Sequence, residues 1–198
     1  MKKIREMKLK DLEEIVNIHL NSFQGFFLSF LGPKFLMLFY KGVISSTLGV
    51  GFVYIDNNRI EGFICGAINP SDFFHNLLRT RWFHFSIASL GAILKKPSII
   101  PRLLRAINSP SSSSKGDKKA TLMSIGIEPQ AQGKGIGRIL IQNFLKKLKS
   151  KRIYEVNLTT DRLNNKRTNQ FYKKLGFTLK RYFTTPEGRE MNEYVIKL

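Results

Sequence analysis

"IGIEPQAQGKGIGRIL", residues 125–140, sets an apolar run against a proline, three alternating glycines and a second apolar run, with Lys134 and Arg138 among the glycines. The pattern predicts a strand ending near Ile127, a turn, and a helix over Gly137–Ser150. Two phosphate-loop spacings fail. The dinucleotide fingerprint would need glycine where Arg138 stands, and no G-x-x-x-x-G-K-[ST] run occurs. What remains is Gln132-Gly133-Lys134-Gly135-Ile136-Gly137 at the opening of a helix. A helix start offers unpaired N–H groups and a partial positive charge, and glycine lets an anion approach the backbone. Taken alone, the hexamer reads equally well as an anion cradle and as a turn with no ligand.

The 198 residues suffice to bury a sizeable core. With 42% hydrophobic and 24% charged residues the chain is globular in composition rather than disordered. Against 14 Asp and Glu stand 33 Lys and Arg, a net charge of +19, which draws phosphates, nucleic acid or an anionic membrane without choosing among them. Cys65 is the lone cysteine, so no internal disulfide forms and nothing suggests an oxidising compartment. Met1–Lys10 is basic but no apolar segment follows, so no export signal is expected. The uncharged run Trp82–Leu94 falls short of the roughly 20 residues that span a bilayer. The expectation is a cytoplasmic protein, held at the inner face of the membrane if one of its segments contacts lipid.

Outward from the glycines, the pattern places a first strand at Lys2–Met7 and a helix over "DLEEIVNIHLNSF". There Leu12, Ile15, Val16, His19, Leu20 and Phe23 share a stripe behind Asp11 as N-cap. A second helix opens at Pro33. "GVGFVYIDNNRIEGFICGAI" reads as a hairpin turning at Asp56-Asn57-Asn58. The apolar, basic stretch from Phe73 to Ile107, broken by Pro97 and Pro101, predicts two or three short helices, and "NSPSSSSKGDKKA" a loop. "ATLMSIGI" and "IYEVNLTT" predict strands, and the strand–helix–strand order between them demands a parallel pair with a right-handed crossover. "RTNQFYKKLG" predicts a helix closed by Gly176, followed by two strands around Pro186-Glu187-Gly188.

At this point the sequence resembles the GNAT superfamily of N-acetyltransferases over roughly Lys2–Asn69 and Ala120–Leu198. Ile127-Glu128-Pro129 followed by Gln132, Gly135 and Gly137 fits its acetyl-CoA motif. Asn165, Phe171, Tyr172, Gly176 and Phe177 fit its next motif, with Thr168 in place of the usual alanine. The resemblance implies one α/β domain over residues 1–198, of α+β type. Its sheet would be mixed, mostly antiparallel and twisted, with a splayed central parallel strand pair, helices on both faces and a helical insertion at about 70–119. It assigns the backbone of Ile125, Gly126 and Ile127 to the pantetheine and thioester. Gln132, Gly133, Lys134, Gly135, Ile136, Gly137 and Arg138 would hold the pyrophosphate, and Asn165 the cofactor arm. No metal is implied.

Acetyl transfer to an amine needs a deprotonated amine, support for the carbonyl oxygen and a proton for the departing thiolate. The resemblance gives the second to a backbone N–H near Ile125 and the third to Tyr172. No base stands out. Thr159-Thr160-Asp161 occupies one place where relatives carry a Glu. Glu128, Asp72, His19, His75 and His84 are near the pocket in the chain order, and each reads first as structural or solvent-facing.

The resemblance implies a primary amine on a small molecule as acceptor, and the expected insertion carries the clue to which. Pro70–Lys119 holds nine Lys and Arg against Asp72 and Asp117, a charge of +7, interleaved with Phe73, Phe74, Trp82, Phe83 and Phe85. A lid over an anionic acceptor such as a nucleotide-linked amino sugar, a contact with anionic membrane, and a homodimer contact all stay open. "FFLSFLGPKFL" resembles GNAT members encoded beside surface-polysaccharide genes, which favours the first. Protein or peptide N-acetylation, or a non-catalytic scaffold for anionic partners, is the alternative. Nucleic acid is disfavoured, because no nucleic-acid motif accompanies the dispersed basic charge.

Overall fold

The computed structural model describes residues 2–95 and 118–198, with backbone alone over 90–95. A seven-stranded sheet in the order β1-β2-β3-β4-β5-β7-β6 forms its frame. The strands are β1 (Lys3–Glu6), β2 (Gly49–Asp56), β3 (Arg59–Ile68), β4 (Lys119–Ile127), β5 (Glu155–Asp161), β6 (Thr178–Thr184) and β7 (Glu190–Lys197). Every neighbouring pair is antiparallel except β4 and β5.

Helices α1 (Leu12–Ser22), α2 (Phe27–Phe30), α3 (Pro33–Ser45) and α4 (Pro70–Lys95) precede β4, while α5 (Ile136–Ser150) and α6 (Lys166–Lys174) follow it. Alternation along the strands makes two cores. Val53, Phe63, Cys65 and Ala67 face α1, α3 and α4, whose Ile15, Ile18, Leu36, Tyr40 and Phe73 are fully buried. Phe52, Tyr54 and Ile64 face the other way, onto Ile136, Leu140, Ile141 and Phe144 of α5 and Tyr172 of α6.

Local chemistry explains the boundaries. Asn57 and Asn58 take φ of 47° and 63°, the left-handed pair that a two-residue hairpin turn requires. Pro33 stands at the first turn of α3. Gly176, at φ 90°, closes α6: its N–H donates to Lys173 O at 3.0 Å and the Phe177 N–H to Tyr172 O at 3.1 Å.

Two expectations are corrected. Asp11 does not cap α1; its carboxylate turns back to accept Arg5 Nη1 and Nη2 at 2.6 and 2.8 Å and the Lys8 N–H at 2.7 Å. It thereby ties β1 to the turn before the helix. The first helix of the stretch from Phe73 is long rather than short, and the breaks expected at Pro97 and Pro101 lie outside the described residues. Pro70–Lys95 is one continuous helix, because Gly91 alone does not end it and no proline intervenes before Pro97. The expected loop over 108–120 and the basic positions Lys96, Arg102, Arg105 and Lys115 lie outside the described residues up to position 117. Among the described residues no helix is long and apolar enough to cross a membrane.

Candidate functional site

The parallel ladder between β4 and β5 is short. It pairs Lys119 with Glu155, Ala120 with Val156 and Thr121 with Asn157, and there it stops. Beyond it β4 continues to Ile127 on β3, and β5 continues to Asp161 on β7. The two strands therefore part at the centre of the sheet. A bulge at Met123 bends β4 at this point: Cys65 pairs with Ser124 and the next residue, Gly66, with Leu122.

Among the described residues, the edge of β4 toward β5 makes no strand pairing beyond Thr121. The Glu128 N–H donates to Glu61 O at 2.9 Å, toward β3. Strand alternation then turns the peptide groups of Ile127 and Ile125 to the gap. Among the described residues, Ile127 O accordingly meets side chains alone, Ser22 Oγ at 3.3 Å and Gln132 Nε2 at 3.5 Å. Gly126 alternates toward β3. Its missing Cβ would lie 2.7 Å from Phe63 Cε1, so glycine here serves the packing of that ring.

Past Ile127 a single turn, Pro129–Ala131, leads to the glycines. Gly133 and Gly135 have φ of 82° and 80°, and a Cβ at either would meet nothing within 4 Å. Conformation, not crowding, calls for glycine at both. Gly137 differs: its Cβ would stand 3.1 Å from Phe171 Cζ and 3.2 Å from Ile127 Cδ1, so the head of α5 presses on α6 and β4. Among the described residues no side chain caps α5. The first N–H groups turned into it are those of Arg138 and Ile139, both on Gly135 O. Among the described residues, no acceptor meets the N–H groups of Gly133, Lys134, Gly135, Ile136 or Gly137. Gln132, Lys134 and Arg138 are exposed around them. Free amides, a positive helix end and two cations suit a diphosphate.

Tyr172 lies inside α6 with its ring against Phe171, Phe177 and Tyr194. Burial alone pushes its hydroxyl above the ordinary tyrosine range, so it stays protonated at neutral pH. Asn165 heads α6. Its Nδ2 donates to Thr160 Oγ1 at 2.8 Å and Asp161 O at 3.1 Å, fixing the β5–α6 loop. Asn169, one turn on, donates to the carbonyls of Asp161 and Asn165 and accepts from Asn192 Nδ2 and Tyr194 OH, which locks α6 to β7.

The candidate bases separate. Asp161 is clasped by Arg189, whose Nε and Nη2 reach it at 3.1 and 2.7 Å, so its oxygens are committed to an ion pair. His19 is 2% exposed, with Nδ1 2.6 Å from Tyr40 OH and Nε2 unpartnered among the described residues. Burial lowers it to about 4, and it is neutral at physiological pH. His75, His84 and Asp72 lie exposed on α4. Among the described residues no cluster of three His, Cys, Asp or Glu side chains converges as metal ligands.

Sequence reading missed the rim. Phe26, from the α1–α2 loop, lies over the Arg189 guanidinium at 5.1 Å, and Arg162 lies over Tyr182 at 4.5 Å. The strand register puts the first pair on the face of Asp161 and the second on the α6 face, with Tyr182 beside Asn192 and Thr160; the four residues are scattered over the chain in no motif.

A family model, Acetyltransferase (GNAT) family, matches residues 12–177. No curated protein matches in sequence. Among solved structures, the chain is similar to an N-acetyltransferase from Staphylococcus aureus Mu50 (TM-score 0.68, 15% identity, 100% of this chain and 98% of that one). It is also similar to NAA60 of Arabidopsis thaliana in complex with acetyl-CoA (0.64, 16%, 100% and 99%). A third is the ribosomal-protein-S18-alanine N-acetyltransferase of Escherichia coli (0.62, 15%, 100% and 94%). Parted central strands, a glycine-headed helix with free amides and a match over most of the sequence lead to one conclusion: the chain belongs to the GNAT family of acetyltransferases, which use acetyl-CoA.

Proposed function

We propose that this N-acetyltransferase moves the acetyl group of acetyl-CoA to the primary amine of a small anionic acceptor, of the nucleotide-linked amino sugar class. The observation that carries the acceptor reading is the pair at the end of β5 on the α1–α2 side of the sheet, where the Arg189 guanidinium lies over the Phe26 ring. Arg189 Nη1 makes no protein hydrogen bond among the described residues and is open to a phosphate. The exposed Phe26 ring suits a base or sugar face.

When bound, acetyl-CoA supplies a thioester whose C–S bond is exchanged for the C–N bond of the product amide. The amides of residues 133–137 hold the diphosphate, with Lys134 and Arg138 screening its charge. The peptide edge of Ile125 and Ile127 lines the pantetheine, and the Ile125 N–H supports the carbonyl oxygen. The Asn165 side chain, fixed by its bonds to Thr160 and Asp161, borders the arm through its amide oxygen. Tyr172 delivers its proton to the departing sulfur. With Asp161 held by Arg189 and His19 buried, the amine loses its proton to water.

The test is a panel of amine acceptors assayed with acetyl-CoA: nucleotide-linked amino sugars, polyamines and peptides. Turnover is expected with the first class, with Arg189→Ala raising KM for that acceptor about tenfold. Turnover confined to peptides or polyamines overturns the reading.

A further inference from the structure

Helix α4 is apolar on two sides. Phe73, Leu77 and Phe85 are buried against α3: Leu77 fills the space left by the missing Cβ of Gly42, and the Phe85 ring meets Phe35 edge-on at 4.9 Å. The opposite side repeats at helical spacing through Arg79, Trp82, Phe83, Ser86 and Ile87, all exposed. Trp82, Phe83 and Ile87 keep 63%, 57% and 57% of their surface open. A helix that is apolar all round is ordinarily covered all round, and a contiguous exposed apolar face marks an interaction surface.

Charge decides what covers it. Between Asp72 and Asp117 the sequence contains no acidic residue, while Arg79, Arg81, Lys95 and Lys96 lie within or just beyond the helix. A second copy would bring together two proteins of charge +19 each. Nucleic acid would answer the charge but offers no apolar medium to Ile87. A bilayer with anionic headgroups answers both, with acyl chains for Phe83 and Ile87, the interface for the Trp82 indole and phosphates for Arg79. We propose that the outward face of α4, centred on Trp82, Phe83 and Ile87, docks on an anionic lipid surface.

Trp82 is the sole tryptophan and reports directly. The full chain is titrated with phosphatidylcholine vesicles with and without phosphatidylglycerol. Trp82 emission is expected to shift to the blue only on the anionic vesicles, to be quenched by brominated acyl chains, and to revert as salt rises. The Phe83→Ser/Ile87→Ser variant keeps the reporter and is expected to lose about tenfold or more in vesicle partitioning, with coenzyme A binding unchanged. Four results overturn the proposal: unchanged emission on anionic vesicles, vesicle binding without quenching by brominated chains, a concentration-dependent shift without lipid, or an equal shift with duplex DNA or RNA.

Discussion

The Thr121 hydroxyl hydrogen-bonds the side-chain amide oxygen of Asn157 across the last rung of the β4–β5 ladder. It is a clasp at the vertex of the central gap. Below it the two strands pair; above it each belongs to a different neighbour.

Removing the clasp loosens that vertex. Thr121→Val is expected to cost about 1 kcal/mol, the net worth of a hydrogen bond whose partner is half-exposed. Asn157→Ala is expected to cost about the same, and the double variant no more than either alone. Urea denaturation of all three checks this, and strictly additive losses would dismiss the clasp.

The glycines before α5 make a separate expectation. Gly133→Ala and Gly135→Ala meet no steric obstacle, so their effect is conformational: about 1–2 kcal/mol of left-handed strain each. The amides are re-aimed in relieving it, and acetyl-CoA affinity is expected to fall about tenfold, as read by calorimetry. Alanine variants that bind as well as the parent would show that the turn holds nothing.

Tyr172→Phe keeps the ring among Phe171, Phe177 and Tyr194 and removes only the hydroxyl. Turnover is expected to fall by about a hundredfold or more, with acetyl-CoA affinity and stability nearly unchanged. Unaltered kcat takes Tyr172 out of the chemistry.

These expectations show where the sequence was informative. The β4–turn–α5 unit and the closure of α6 at Gly176 were legible because glycine, proline and hydrophobic period act locally. The splay between β4 and β5 came only through resemblance, since a three-rung ladder and a bulge at Met123 leave no mark on period-two alternation. Asp11 misled because a carboxylate before a helix reads as a cap, whereas its partner, Arg5, arrives on another strand. The length of α4 was hidden because both its faces are apolar, so no amphipathic stripe announced one helix. Phe26, Asp161 and Arg189 meet from three distant segments and could be joined only by the fold.

His19 gives the protein an acid-sensitive point. Its folded-state value is depressed from 6.5 to about 4 by burial, so below pH 6.5 the unfolded chain binds the proton that the native state refuses. Its contribution is present in full above pH 6.5 and is lost as pH falls from 6.5 to 4, amounting to roughly 3 kcal/mol. The carboxylates with lowered values, Asp11 and Glu193, act in a more acidic window. Denaturation midpoints compared with His19→Gln check the assignment. The variant should lose the slope between pH 6.5 and 4, and an unchanged slope places it elsewhere.

The central claim is that main-chain amides at the head of α5 grip the diphosphate of coenzyme A. It is tested most directly by calorimetric titration with coenzyme A and, in parallel, with pantetheine, which lacks that group. Micromolar-range binding of coenzyme A and at least a hundredfold weaker binding of pantetheine are expected. Equal affinity for the two, or no heat with coenzyme A, would contradict the account.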